Sequence, residues 1–318
     1  FVVVAAAGNE GDKPIHSQVI GLNSKVSVNL SSNTGDKIDG WYRCGKVKVE
    51  FCDSSNNCIS ASSGSKNSGT LGNCSVVIDN TNTYYPLNGD GEFIINFNCT
   101  GNYTVNLYPE SGSPTVDMYF ANPYGDSKFL NYTQTDVYGG YLGTVGIPAT
   151  SPYVIAVGAL TSKPLDTITS KSFIDLGKIA YFSSRGPTRD GRIKPDITAP
   201  GYFVLSAWSG STGYIEDKGT SMASPVVAGI VAQLLEVNSN LDVFQVKDIL
   251  SKTALSDSYT LTLPNYTYGY GKVSIAPSTF NLFPATSSSN PQTTSASSGG
   301  ASSGGGGGCS MLQYTDLT

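Results

Sequence analysis

Residues 219–225 read GTSMASP and lead directly into an apolar stretch, MASPVVAGIVAQLLEV at 222–237. Apolar residues on nearly every face of that stretch predict a buried helix, with Pro225 in its first turn, where the missing N–H costs little. Ser221 then lies at a helix N-terminus, where backbone N–H groups and the helix dipole stabilise developing negative charge. This placement suits a nucleophilic serine whose attack creates an oxyanion. The alternative is a serine that only caps a core helix.

The first residues of the chain, FVVVAAAGNEG, support that interpretation. The continuous apolar run at 2–7 predicts a parallel strand that is covered on both faces. Gly8 and Asn9 follow the strand. Many buried strands end in a Gly-Asn turn, so this segment alone does not indicate a catalytic site. It supports one because GTSMASP follows later in the same chain.

Taken together, the two segments resemble the subtilisin-like serine proteases. The resemblance implies that Ser221 is the nucleophile and that the Asn9 side chain donates a hydrogen bond to the oxyanion. It also implies a pocket for the substrate side chain that precedes the cleaved bond. At its rim Glu10 either attracts a basic residue or is structurally idle. The substrate-binding residues expected from the resemblance are Ala6, Ala7, Gly8, Glu10, Gly219 and Thr220.

Other segments extend the resemblance over 1–13 and 146–278 and imply an α/β fold built on a partial subtilisin-like parallel sheet. Residues 240–254 show helical spacing of apolar side chains, and Asn240 is the expected cap. Calcium supports many relatives structurally, but the sequence shows no ligand cluster for it, and no cofactor is expected. The remaining matching segments are SPYVIAVGAL at 151–160, AYFSSRGPTRDGRIKPDITAPG at 180–201 and YGYGKVSIAPS at 268–278.

The resemblance implies a serine endopeptidase that cleaves polypeptides through an acyl-enzyme on Ser221. In this family the catalytic Asp and His precede the strand at 2–7, whereas the single histidine of this chain, His16, follows it. We therefore expect a C-terminal part of a longer protease that is inactive alone, and we expect His16 to be a surface residue. The competing hypothesis is a pseudoprotease, a non-catalytic surface or binding protein.

The segment 17–140 has a different amino-acid composition, rich in Asn, Ser, Thr, Gly and Tyr. Short alternating runs separated by turn clusters predict an inserted antiparallel β-sandwich domain. Within it, GNYTVNLYPESG followed by VDMYF predicts two strands joined by a return. The predicted strands are KVSVNL, KVKVEF, SVVI, EFIINF, YTVNLY and TVDMYF. The predicted organisation is residues 1–16 and 141–284 for the two catalytic segments, 17–140 for the insertion and 285–318 for a disordered tail.

Cysteines and glycosylation motifs concentrate in the insertion. We expect two disulfides and one free thiol among its five cysteines, with Cys52–Cys58 and Cys74–Cys99 as candidate pairs and no bridge to Cys309. Disulfides and N-glycosylation indicate an extracellular or cell-surface location. The insertion cysteines are Cys44, Cys52, Cys58, Cys74 and Cys99, and the N-x-[ST] motifs begin at Asn29, Asn73, Asn98, Asn102, Asn131 and Asn265.

Charge and the tail restrict the expected partners. With 19 basic and 24 acidic residues the net charge is −5, and no basic patch indicates nucleic-acid binding. Residues 285–308 are rich in Ser, Thr and Gly and cannot bury enough apolar surface to fold. Such a tail is typical of a stalk that tethers a protein to the cell surface. Polypeptide substrates are the expected partners.

Overall fold

The computed structural model describes residues 1–122, 125–162 and 175–274. These residues form a small parallel sheet with helices, a large antiparallel sheet and a two-stranded hairpin. The elements are β1 (Val3–Ala6), β2 (His16–Val19), β3 (Val26–Ser32), β4 (Asp36–Cys52), β5 (Cys58–Ala61), β6 (Ser65–Leu71), β7 (Cys74–Asn82), β8 (Gly91–Phe97), β9 (Gly101–Phe120), β10 (Lys128–Phe129), β11 (Val154–Thr161), β12 (Ile197–Tyr202), β13 (Val204–Ala207), β14 (Tyr214–Asp217), α1 (Thr220–Val237) and α2 (Val243–Thr253).

The parallel sheet has the order β1-β11-β12, which confirms the predicted parallel sheet. Every residue of β11 is buried, as its unbroken apolar sequence requires. The expectation that β1 is covered on both faces is wrong. The side chains of β1 are half-buried or exposed although α1 contacts the strand, and among the described residues β1 pairs only with β11.

Helix α1 packs on this sheet, but it is buried along one stripe rather than on every side. The stripe includes Ala223, Val227 and Leu234 and contacts all three strands. Within the described residues α1 is also long and apolar enough to cross a membrane, a test that core helices of soluble proteins pass equally. Its packing on the sheet accounts for the apolar stripe.

The helix begins at Thr220, about two residues earlier than expected. Because α1 starts at Thr220, Pro225 falls in the second turn instead of the first. A proline there removes the N–H that would pair with the carbonyl of Ser221. The Ser224 hydroxyl lies 3.5 Å from that oxygen and is the only side-chain donor the described structure places there.

Helix α2 confirms the predicted amphipathic segment and corrects its cap. Val246, Ile249 and Leu250 are buried, as the spacing predicts. The cap is Asp242, not Asn240: the Asp242 carboxylate accepts from the Gln245 N–H, and the Gln245 side chain accepts from the Asp242 N–H. This reciprocal pair satisfies two N-terminal backbone donors that Asn240 is too far along the chain to reach.

The insertion forms a nine-stranded antiparallel sheet around one apolar core. The six predicted strands correspond to parts of β3, β4, β7, β8 and β9, with only Lys25 of the first lying outside its strand. The first half of β4 pairs with β8 and with the end of β9, whereas its second half pairs with β5 and the start of β9. Two long strands thus contribute to both ends of one core, and the arrangement of the insertion as a sandwich stays a prediction.

The predicted return within residues 101–120 is wrong. Strand β9 runs without reversal from Gly101 to Phe120. Pro109, Gly112 and Pro114 indicate a turn in the sequence, but they lie where the pairing of β4 and β9 shifts register, next to Cys44 and Gly45. A bulge bends paired strands without ending them, so turn-forming residues here mark a bend.

The cysteines pair largely as expected. Cys52 is bonded to Cys58, and Cys74 to Cys99. Cys44 is disulfide-bonded as well, so the expected free thiol in the insertion is wrong. Cys309 lies outside the described residues.

A buried ion pair joins the segment after β10 to the segment before β12. The Arg185 Nε donates to Asp136 Oδ2 at 2.6 Å, and the two side chains are only 1% and 8% exposed. Asp136 Oδ1 also accepts the N–H groups of Tyr138 and Gly140. The guanidinium donates its remaining contacts to the Ser183 and Tyr181 carbonyls. Both charges are therefore hydrogen-bonded, as burial demands.

The disulfide assignments lead to a mapping test. Non-reducing peptide mapping of the purified protein is expected to recover the Cys52–Cys58 and Cys74–Cys99 peptides, which collapse to separate peptides after reduction. Recovery of either pair as free, alkylated thiols would contradict the structure.

The buried ion pair leads to a stability prediction. Asp136→Asn leaves the Arg185 charge uncompensated and is expected to lower the free energy of unfolding by about 3–5 kcal/mol, measured by urea denaturation. The matched control is Asp190→Asn, which breaks the ion pair between Asp190 and Arg192. In that pair the Arg192 side chain is 38% exposed and the Asp190 side chain is 62% exposed. An exposed pair contributes about 0–1 kcal/mol. Equal, small losses in both variants would contradict a structural role for Arg185.

Candidate active site

Asn9 and the start of α1 are brought together across the parallel sheet. Asn9 follows β1, and its Oδ1 accepts hydrogen bonds from the Thr220 backbone N–H at 2.9 Å and the Thr220 hydroxyl at 3.0 Å. The Thr220 Oγ1 in turn accepts from the Gly8 N–H at 3.1 Å. Because the oxygen of the Asn9 amide is engaged twice, its NH₂ group is the end left to serve as a donor.

A small space opens between two donors. A Cβ built on Gly219 would lie 3.4 Å from Asn9 Nδ2 and 3.6 Å from the Ser221 nitrogen. No hydrogen-bond partner for Asn9 Nδ2 occurs among the described residues. The Ser221 N–H belongs to the first turn of α1 and has no carbonyl within the helix to pair with. The absence of a side chain at Gly219 keeps this space open for an oxygen atom.

Ser221 itself is exposed beside that space. It is the second residue of α1, and in the part of the chain that the structure describes its hydroxyl makes no hydrogen bond. The N-terminal end of the helix and its unpaired N–H groups favour negative charge at this position. The arrangement can stabilise an oxyanion formed by attack of Ser221, provided that a base removes the hydroxyl proton.

The other predicted pocket residues surround the Asn9 loop. The Ala7 N–H donates to Val157 of β11, and its carbonyl accepts from the Gly146 N–H. Glu10 turns back on its own loop: its Oε2 accepts the Asn9 N–H at 2.7 Å and the Ser184 hydroxyl at 3.2 Å. Ala6, Gly8 and Glu10 are half-buried, and Gly219 and Thr220 are buried. Contact of these residues with a substrate stays a prediction.

His16 is held away from this site. Its Nε2 lies 3.0 Å from Asp117 Oδ1 and its Nδ1 lies 3.2 Å from the Leu142 carbonyl. The ring stacks on Tyr119, and the side chain is only 12% exposed. The expectation of a surface histidine is therefore wrong, because strand β2 pairs with β9 and turns this side chain towards the loop that contains Leu142.

One group of potential metal ligands occurs within the described ranges, Glu50 with Cys52 and Cys58. The two sulfur atoms are joined in a disulfide and cannot act as thiolate ligands. The group therefore does not fit a metal site.

Comparison with known proteins decides the family. A family model described as "Subtilase family" (Peptidase S8) matches residues 32–271. The chain belongs to the subtilase family. This match contains the parallel strands β11 and β12 together with Ser221.

Individual subtilases and related proteins match parts of the chain. It is 44% identical over 156 residues to an uncharacterised protein of Aquifex aeolicus, covering 45% of this chain and 69% of that protein. It is 38% identical over 143 residues to serine protease AprX of Bacillus subtilis, covering 41% of this chain and 30% of AprX. The structure of the Clostridium perfringens CspB protease matches with a TM-score of 0.68 and 26% identity, covering 88% of this chain and 59% of CspB.

Sequence reasoning missed the residues that support this subtilase site. Ser184 contacts Glu10 and the Gly8 carbonyl, and Arg185 is buried beside it. Their only signal was the string SSRGP, which lies inside one of the longer matching segments. Asp136 carried no signal, since an aspartate in a polar loop is ordinary.

The space beside Gly219 leads to a test in any polypeptide that contains these residues and hydrolyses peptides. Gly219→Ala places a methyl group between the two donors and is expected to lower peptidase turnover by at least about tenfold, because the oxyanion loses contact with both N–H groups. The control Gly229→Ala, on α1 with nothing near the added methyl, should leave turnover unchanged. Equal turnover in both variants would show that the space is not used.

Proposed function

We propose that this chain carries the nucleophile and the oxyanion donors of a serine endopeptidase. The observation that supports this most strongly is the double hydrogen bond from Thr220 to Asn9 Oδ1, which aims the Asn9 amide N–H at the space beside Ser221. A serine that only capped α1 would not need an amide oriented from the loop after β1. Membership of the subtilase family supports the same reaction class.

In the proposed reaction Ser221 Oγ attacks the carbonyl carbon of a peptide bond, and its proton passes to a general base. The carbonyl oxygen becomes an oxyanion held by the Ser221 N–H and by Asn9 Nδ2. Collapse breaks the C–N bond, the base returns the proton to the leaving amine, and the acyl-enzyme remains on Ser221. Water then hydrolyses the ester by the same proton transfers in reverse.

The general base is proposed to lie outside these 318 residues. The sequence has one histidine, and His16 is bonded to Asp117 and to the Leu142 carbonyl. We infer that a histidine, oriented by an aspartate, is supplied by another segment of the full-length protein. If that protein folds but shows no reaction at Ser221, the pseudoprotease alternative takes its place.

The location is proposed to be extracellular or at the cell surface. Besides the Cys52–Cys58 pair, Cys44, Cys74 and Cys99 are also disulfide-bonded, and disulfides persist in oxidising compartments. Asn29, Asn73, Asn98 and Asn102 are all exposed, but Asn29 Oδ1 accepts the Thr104 hydroxyl and Asn98 Oδ1 accepts the Ser75 N–H, so Asn73 and Asn102 are the better glycosylation acceptors. Asn265 is a poor one, because its side-chain amide donates to the Thr260 carbonyl and accepts the Tyr268 N–H. A surface tether through the tail remains part of the proposal.

Reactivity of Ser221 tests the proposed function. The isolated 318-residue chain is expected not to hydrolyse peptides and to react poorly with a fluorophosphonate probe, because an unassisted serine hydroxyl is a weak nucleophile. The full-length protein should react at Ser221, located by peptide mass spectrometry, and Ser221→Ala should abolish the reaction. Hydrolysis by the isolated chain that survives Ser221→Ala would mean that the assigned residues are wrong.

The oxyanion donor is tested separately. In the full-length protein Asn9→Ala is expected to lower kcat by about two to three orders of magnitude with little change in KM. This magnitude is the one known for loss of such a donor in subtilisin, a member of the same family. Near-normal kcat in the variant would remove Asn9 from the reaction.

A further inference from the structure

Arg185 lies beside the loop that carries Asn9. Its side chain is only 1% exposed, and a Cβ built on Gly11 of that loop would lie 2.3 Å from Nη1. A Cβ on Gly140 would lie 1.9 Å from Cζ of the same guanidinium. Glycine at both positions lets two loops approach one buried cation closely. The guanidinium therefore fills the space between the Asn9 loop and the loop that follows the antiparallel sheet.

The guanidinium also holds the backbone of its own segment. Arg185 Nη1 donates to the Ser183 carbonyl at 2.6 Å and to the Tyr181 carbonyl at 3.3 Å. Hydrogen bonds from a charged donor are stronger than those between neutral groups, so both carbonyls are fixed in direction. A lysine ammonium could not make the same set of contacts, because it lacks the planar fork of donors.

The segment that precedes this guanidinium binds the Asn9 loop at both ends. The Ser184 N–H donates to the Gly8 carbonyl at 2.9 Å, and the Gly11 N–H donates to the Phe182 carbonyl at 2.8 Å. These two hydrogen bonds flank Asn9 on either side along the chain. A shift of the segment therefore moves the Asn9 loop and, with it, the side-chain amide.

The charge that compensates Arg185 comes from the loop that follows the antiparallel sheet. Asp136 Oδ2 accepts Arg185 Nε at 2.6 Å and the Thr267 hydroxyl at 2.7 Å. Its Oδ1 accepts the backbone N–H groups of Tyr138 and Gly140 in its own loop. A buried guanidinium is stable only beside such a partner. The ion pair thus links the position of this loop to the position of the segment that binds the Asn9 loop.

We propose that Arg185 and Asp136 are positioning residues for the Asn9 amide, so that the loop leaving the insertion controls the rate of the proposed reaction. The inference rests on the proposed function. Since the Asn9 N–H contacts the oxygen most strongly as negative charge develops, its displacement lowers kcat and leaves KM nearly unchanged. A pair that contributed only to folding would change neither constant once every molecule is folded.

The experiment uses a polypeptide that contains this chain and hydrolyses peptides, at a temperature where circular dichroism shows every variant to be folded. Arg185→Lys keeps the charge opposite Asp136 and loses the fork of donors that reaches the two carbonyls. It is expected to lower kcat about tenfold, with KM within about twofold, because a small displacement of a donor is costly. The matched control is Ile95→Ala, in the buried core of the insertion, which should destabilise the fold and leave kcat unchanged.

A double-mutant cycle decides whether Arg185 acts through Asn9. In the Asn9→Ala background, Arg185→Lys should change kcat by less than about twofold, since there is no amide left to position. The proposal is overturned by a normal kcat in Arg185→Lys alone or by an undiminished effect in the Asn9→Ala background. An equal loss of kcat in Ile95→Ala overturns it as well, because the effect would then follow from destabilisation.

A second variant covers the case in which Arg185→Lys does not fold. Asp136→Glu keeps the charge but displaces the carboxylate, and it is expected to lower kcat with the same dependence on Asn9. A normal kcat in that variant, or a loss that persists in the Asn9→Ala background, overturns the proposal equally. Fluorophosphonate reaction at Ser221 in the parent protein tests the proposed function separately, whatever the ion-pair variants show.

Discussion

The buried ion pair between Arg185 and Asp136 is the constraint on which the arrangement of this chain depends. It joins the loop that follows the antiparallel sheet to the segment that precedes β12. Its burial dictates the sequence around it: a Cβ on Gly140 would lie 1.9 Å from the guanidinium carbon, and one on Gly11 would lie 2.3 Å from Nη1. A charge of this kind tolerates neither a lost partner nor a displaced one, so the surrounding loops have little freedom.

That rigidity extends to the candidate active site through the backbone. Arg185 donates to the Ser183 carbonyl and so fixes the segment in which Ser184 contacts the Gly8 carbonyl and Glu10. From there the contacts continue to Asn9 and, through its Oδ1, to the Thr220 N–H at the start of α1. A donor set for an oxyanion has to be in place before charge develops, and a continuous network of hydrogen bonds from the buried Arg185 to the start of α1 meets that requirement. Ser221 is exposed, whereas Ser184 and Thr220 in this network are buried.

The sequence predicted those elements and site residues that depend on local apolar periodicity or on short family motifs. The parallel strands, helix α2 and the strands of the insertion follow from apolar periodicity, and the placement of Ser221 and Asn9 near one another follows from the family motifs. Features set by distant contacts were not predictable. The bend in β9 depends on its register with β4, the burial of His16 depends on Asp117, and the Arg185 pair joins residues about fifty positions apart. The Asp242 cap was readable in principle, since Asp with Gln three residues later is a capping-box pattern.

The central claim is that Asn9 Nδ2 and the Ser221 N–H converge on one oxygen atom. A crystal structure of a polypeptide that contains this chain, after its reaction with a fluorophosphonate, tests it most directly. The account predicts a bond from phosphorus to Ser221 Oγ, with one phosphonyl oxygen roughly 2.7–3.1 Å from both Asn9 Nδ2 and the Ser221 nitrogen. An adduct on another residue, or an adduct on Ser221 with its oxygens turned away from Asn9, would contradict it.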